Sequence, residues 1–244
     1  MKYLKKFETQ SAYTAAESSL ILPNVSLIAE TNGVAYKPVE PVPSHDFVEI
    51  GGIKWATMNV GATGVTDTGL YFQWGDTQGY TAAQVGSGEG KKYFDWTDYK
   101  YNPSGDGETF TKYNETDELI TLESSDDAVT AAWGGSWRMP TQDEFAALVT
   151  ATTSAWTANY EGSSIPGLVL TSKADSNKKL FFPASGFSYE GTVKGDRINC
   201  YYWSSSLSTS SVSYAYYLWS LNGIIDWGYN NNRYGGYTVR GVLG

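Results

Sequence analysis

Residues 133–145 read WGGSWRMPTQDEF, and their local instructions are unusually clear. Gly134-Gly135 stops whatever precedes it. The stretch before it, SSDDAVTAAW (124–133), predicts a helix near 125–133 with a serine cap and an acidic first turn. After the glycines comes a short arginine-containing strand that stops at Pro140. Thr141, with Glu144 three residues on, is a capping box that predicts a second helix over 141–151. Arg138, Asp143 and Glu144 invite a catalytic reading, but each has a structural use. Glu144 caps a helix, and an arginine between Trp137 and Pro140 reads as a packed ion-pair partner.

Working outward, short strands separated by Gly, Ser and Asn follow residue 165: GLVLTS, KLFFPAS, YYWSSS, SYAYYLWS and YTVRGV. Upstream, FVEIGGIKWATMNVG places two strands around Gly51-Gly52. Trp74 in FQWGDT reads as a core aromatic and Asp76 as a turn cap. Residues 1–36 form a small module, with a helix in TQSAYTAAESS and a hairpin in NVSLIAETNGVAYKPV turning at Asn32-Gly33. Residues 37–45, KPVEPVPSH, read as an extended linker. The expected architecture is α+β: an N-terminal module (1–36), the linker (37–45), and a domain over 46–244. That domain should hold two helices, a small twisted antiparallel sheet and much irregular chain.

Composition narrows the function. A net charge of −9 over 244 residues repels phosphate backbones, so no nucleic-acid partner is expected. No run is apolar and long enough to insert in a bilayer, and MKYLKKFETQ lacks the apolar stretch of a secretory signal. One cysteine, Cys200, excludes an intrachain disulfide and reads as a small buried hydrophobe. One histidine, His45, leaves little material for zinc or a His-based triad. No metal or other cofactor is expected. The carboxylates of SGDGETF (104–110) and DWTD (95–98) lack the alternation of a calcium loop and read as solvated loops.

WGGSWRMPTQDEF, together with IKWATMNVGA, GLYFQWGDT, YYWSSS and YTVRGV, resembles the C-type-lectin-like fold over residues 46–244. The branch is the one containing formylglycine-generating enzymes and bacterial surface domains. The resemblance implies that fold. It does not carry the enzyme chemistry, because those enzymes use a pair of cysteines and this chain has one. The Glu-Pro-Asn, Gln-Pro-Asp and Trp-Asn-Asp triplets of calcium-dependent sugar binding are also missing. The opening residues resemble N-terminal modules of tail-associated proteins from phages of gut Bacteroides.

Residues 201–237, YYWSSSLSTSSVSYAYYLWSLNGIIDWGYNNNRYGGY, are dominated by Tyr, Trp, Ser, Asn and Gly, with only Asp226 and Arg233 charged. If 216–221 is a strand, Tyr216 and Leu218 face the core, while Tyr217, Trp219 and Leu221 face the other way. Large aromatics facing outward imply a binding surface, and the composition is that of a paratope. The alternative is a tyrosine-rich β core, in which so many hydroxyls would be hard to satisfy.

The same segment resembles variable proteins of diversity-generating retroelements, among them phage tropism determinants. There an error-prone reverse transcriptase rewrites asparagine-rich templates. The resemblance implies a variable region over about 197–240, with Ala215, Tyr216, Leu218, Gly223, Arg233, Val239 and Arg240 as framework. It implies ligand contacts at Tyr214, Tyr217, Trp219, Leu221, Ile224, Asp226, Gly228, Tyr229, Tyr234 and Gly235. The large side chains of that set are expected to form one contiguous exposed patch over buried Ala215, Leu218 and Ile225. Exchanging Tyr217, Trp219, Tyr229 and Tyr234 together for serine should then leave stability nearly unchanged.

The function expected is therefore binding, not catalysis: a tail-tip receptor-binding protein carried on the virion after cytoplasmic synthesis. Its partner would be a protein or glycan receptor on a host cell surface, and a homo-oligomer is compatible with the resemblance. The alternatives are a bacterial cell-surface adhesin or calcium-independent lectin, and an enzyme of the formylglycine-generating type.

Overall fold

The computed structural model describes Lys6–Phe7, Val25–Glu30, Gly33–Pro38 and residues 45–244. The chain divides into two compact units, Met1–Ser44 and His45–Gly244. In the first, β1 (Lys6–Phe7), β2 (Val25–Glu30) and β3 (Gly33–Pro38) form an antiparallel sheet in the order β1-β3-β2. Glu30 lies opposite Gly33, so the predicted hairpin is present. The strand takes in Lys37 and Pro38, which the proline pattern had placed in the linker. Among the described residues Pro38 is paired to Val25 alone, and proline is tolerated where one ladder side is open. The helix expected in TQSAYTAAESS and the residues 39–44 lie outside the described residues.

The second unit is α+β with two α-helices and mostly antiparallel sheets. β4 (Phe47–Ile50) and β5 (Ile53–Asn59) form a hairpin with Ile50 opposite Ile53. Gly51 and Gly52 sit at φ +63° and +81°, the mirror-image turn that suits right-twisted strands and that glycine adopts without a Cβ clash. Helix α1 (Ala128–Trp133) leads to β6 (Trp137–Arg138), and helix α2 (Gln142–Ala151) runs into β7 (Thr152–Thr157). β8 (Gly167–Ser172) and β9 (Lys179–Pro183) complete a sheet in the order β7-β8-β9. β10 (Phe187–Tyr189) and β11 (Thr192–Lys194) are a hairpin.

The sheet of the aromatic segment is built from β12 (Asn199–Leu207), β13 (Tyr214–Leu221) and β14 (Ile224–Asp226), with β15 (Asn230–Asn232) also pairing β13. β16 (Arg240–Leu243) then inserts between β5 and β6, joining the two ends of the unit. The single small sheet expected from the sequence is replaced by four in this unit. Several of their strands are three residues long and need tertiary neighbours to be recognised as strands.

The 133–145 stretch folds largely as its residues dictate. Thr141 Oγ1 accepts from the Glu144 amide at 3.2 Å, and Glu144 accepts from the Thr141 amide at 2.8 Å. Arg138 donates to both Glu144 carboxylate oxygens, at 2.7 and 2.6 Å. The first helix differs from expectation. Ser124–Asp126 is a turn of 3₁₀ helix, and the α-helical cap is Asp127, whose Oδ1 accepts from Val129 and Thr130 at 2.9 Å. Asp127 wins because its Oδ2 also accepts from the Met139 amide at 2.8 Å, a tertiary bond no serine at 124 would make.

Two buried clusters lie on opposite faces of the β12–β13 pair. Cross-strand partners share a face, so Cys200, Tyr202, Leu218 and Ser220 form one side, and Tyr201, Trp203, Tyr217 and Trp219 the other. The first side packs against an aliphatic cluster that includes Phe145, Leu148, Leu168, Leu170 and Val242. The second meets an aromatic cluster that includes Phe72, Trp74, Tyr99, Tyr113 and Tyr237. The pair is therefore a central partition, covered on both sides for much of its length.

Candidate functional site

The register of β13 and β14 decides which side chains meet. Trp219 lies opposite Asp226, Leu221 opposite Ile224, and on the β12 side Tyr201 lies opposite Trp219. Tyr201, Tyr217, Trp219, Leu221, Ile224 and Asp226 thus share one face of the sheet. Tyr229 comes down on the same face, 5.7 Å from Trp219 with the rings perpendicular and 6.4 Å from Tyr217 with the rings nearly parallel. Gly228 is exposed beside them, its amide donating to Asp226 Oδ1 at 2.7 Å.

This face is graded from buried to open. The chain returning through 229–237 roofs one end. There Tyr237 stacks on Trp203 at 4.0 Å and meets Tyr217 edge-on at 5.0 Å. Trp219, Leu221 and Asp226 are half-buried, and Tyr229 and Ile224 are 49% and 65% exposed. The exchange of side chains between faces follows the strand alternation read from the sequence, and Leu218 and Ile225 pack on the opposite side as expected.

Three of the expected contact residues lie inside instead. Tyr217 is 8% exposed and Tyr234 5%, and Gly235 is buried. Alternation assigns residues to a face, but it does not say whether something covers that face; here Tyr237 and its neighbours do. Tyr234 packs against Trp96 at 4.7 Å and Tyr189 at 5.6 Å, away from Trp219. Tyr214, half exposed at 36%, points to the Leu218 side of β13 and stands about 23 Å along the strand from Leu221. The single continuous patch is thus reduced to Trp219, Leu221, Ile224, Asp226, Gly228 and Tyr229, with Tyr201 added. Tyr201 could have been found from its two-residue spacing to Trp203, which places both on one face.

Part of the segment is therefore a tyrosine-rich core, in which the Tyr202 and Tyr237 hydroxyls have their own partners. Tyr202 Oη donates to Pro183 O at 2.9 Å and accepts from Asn59 at 3.1 Å. Tyr237 Oη accepts from Asn231 at 2.8 Å. The serines have a packing reason too. In the irregular stretch of β12, Ser204 and Ser205 are buried where Trp74 Nε1 donates to Ser204 O at 2.9 Å and the Ser205 amide donates to Pro140 O at 2.8 Å. Burial pushes the Tyr201 hydroxyl above its ordinary range, partly offset by the Trp219 indole N–H, and lifts Tyr217 and Tyr237 further.

Chemically, the face offers ring surfaces, aliphatic area and, among its seven residues, one charge, Asp226. Trp219 and Tyr229 pack on each other and form a ridge instead of a cage. A cavity of about 530 Å³ lies elsewhere, between Phe47, Glu49, Tyr160 and Lys179. Among the described residues no group of three or more His, Cys, Asp or Glu is placed to hold a metal, and no helix is long and apolar enough to cross a membrane. Asp106, one of the loop carboxylates, is engaged by Asn102, Glu108 and Thr109. Cys200 is buried and its thiol is pushed up to about 12. No family model, no curated protein and no solved structure matches the chain.

Proposed function

We propose that residues 46–244 form a C-type-lectin-like domain of the retroelement-diversified kind, and that it binds a receptor through the face carrying Trp219, Leu221, Ile224, Asp226 and Tyr229. On this reading the protein acts at a phage tail tip and recognises a protein or glycan on the host surface. The supporting observation is the distribution of exposed apolar side chains. Of the eight large hydrophobics exposed among the described residues, four (Ile198, Tyr214, Ile224 and Tyr229) fall within 197–240, and two of these, Ile224 and Tyr229, lie on this face. Tyrosine and tryptophan on a rigid sheet give contact area at low entropic cost and are the residue types that dominate interface hot spots.

The test is binding to intact gut bacterial cells by the wild-type protein and by Trp219→Ser/Tyr229→Ser. Loss of binding by a variant of unchanged fold supports the reading; equal binding by both overturns this face as the site. A second reading, a calcium-independent lectin or adhesin, is favoured by the ridge of aromatic rings beside a carboxylate, which suits stacking on a sugar. A glycan array in chelator tests the sugar ligand that this second reading requires and the first only allows. A reverse-transcriptase gene next to a near-repeat of the 3′ end is the genomic check on diversification.

A further inference from the structure

We propose that the guanidinium of Arg233 holds a small monovalent anion of the chloride class inside the domain. The inference rests on the geometry of Arg233 and not on the binding reading above. Arg233 is wholly buried, and its backbone is fixed at both ends: its amide donates to Ser213 O at 3.0 Å, and its carbonyl accepts from Trp74 at 2.8 Å. Nη1 donates to Tyr113 O at 3.0 Å and Lys112 O at 3.4 Å. The Phe110 ring lies over the cation at 3.9 Å, with Tyr99 and Trp74 at 5.4 and 5.6 Å. Nε and Nη2, the two parallel donors of the side-on fork, have no protein acceptor among the described residues.

Arg240 provides the contrast within the same molecule. It too is wholly buried against aromatic rings, but all three of its nitrogens are engaged. Nε donates to Asn59, Nη1 to Ala56 O and Nη2 to Phe181 O, at 2.8–2.9 Å. Arg233 has no ion-pair partner among the described residues, and the nearby carboxylates are committed elsewhere. Asp126 takes Lys100, Lys112 and Tyr113, and Asp117 takes the amides of Tyr113, Asn114 and Leu119.

A buried cation with no counter-charge, and with two of its three nitrogens lacking acceptors, is costly for a fold to contain. A fork of two parallel N–H groups is the geometry that chelates an anion. With Arg233 wholly buried and three aromatic rings within 6 Å of its guanidinium, a monatomic anion is the ligand that makes the least demand on space. Bound there, the anion would stiffen the junction between residues 110–113 and the chain that roofs the aromatic face.

The test uses the whole protein. Melting temperature is measured in sodium chloride, sodium bromide and sodium gluconate at matched ionic strength, for wild type and Arg233→Lys, which keeps the charge and loses the fork. The expected result for wild type is a rise of roughly 3–5 °C per tenfold increase in halide above the dissociation constant, with none in gluconate. The lysine variant should lose the difference. Long-wavelength anomalous diffraction from wild-type crystals grown in sodium chloride should show a chloride peak at Nε and Nη2. Equal melting in halide and gluconate, or a water without anomalous signal at the fork, overturns the proposal, and both readings stand even if Arg233→Lys does not fold.

Discussion

Replacing Tyr217 by serine is expected to destabilise the domain severely, while the same change at Tyr229 is nearly silent. The two rings neighbour each other, and both were expected on one open surface. Tyr217 is enclosed by Tyr237, Tyr201 and Trp203 at centroid distances of 5.0, 5.6 and 5.9 Å. Burying a tyrosine ring removes about 150–200 Å² from water, worth about 4–5 kcal/mol at ~25 cal/mol/Å², an upper bound for the extended unfolded chain. Large-to-small changes of buried aromatics cost about 3–5 kcal/mol, in agreement.

For a domain of this size each kcal/mol moves the melting temperature by about 2–4 °C, so Tyr217→Ser should melt some 6–20 °C lower. Half-exposed Tyr229 forfeits two partial ring contacts, to Trp219 and Tyr217, and Tyr229→Ser should lose about 1 kcal/mol or less. Urea unfolding followed by circular dichroism measures both. Midpoints corresponding to stabilities within about 0.5 kcal/mol of each other would refute the assignment of Tyr217 to the core. The fourfold exchange of Tyr217, Trp219, Tyr229 and Tyr234 for serine is accordingly expected to unfold the domain, where the sequence alone implied tolerance.

Asp126 should govern the acid limb of stability. Burial alone would raise its carboxyl, but hydrogen bonds from Lys112, Tyr101, Tyr113 and Lys100 outweigh burial and hold it well below the usual range. A depressed carboxyl contributes stability that is present above its unfolded pKa, near 4, and is lost as pH falls toward the folded value. Melting temperature should therefore drop below about pH 4, and Asp126→Asn should show a shallower drop from a lower neutral value. Asp127→Ala removes a helix cap and strands the Met139 amide, for a loss of about 2–4 kcal/mol in urea unfolding, whereas Asp143→Ala at an exposed position should stay within about 0.5 kcal/mol. Cys200, buried and with its thiol pushed up to about 12, should react with a thiol reagent only as fast as the domain opens, so labelling should accelerate in step with urea.

The local chemistry of this protein was written in its sequence. The capping box at Thr141 and Glu144, the stop at Gly134-Gly135, the glycine turn at 51–52 and the alternation along β13 each depend on neighbours within a few residues. Each is found where the residues place it. That Arg138 pairs with a carboxylate was legible too, but the structure is what names Glu144, six residues on, as the partner. What lies over the strand was not legible. The cover on Tyr217 comes from Tyr237, twenty positions away, and the acceptors that make a tyrosine core tolerable come from Pro183, Asn59 and Asn231. The short strands β14 and β15 exist only because β13 offers them a ladder. Periodicity tells a residue which way to face, but exposure is set by whichever distant segment packs there, and only the tertiary structure chooses that segment.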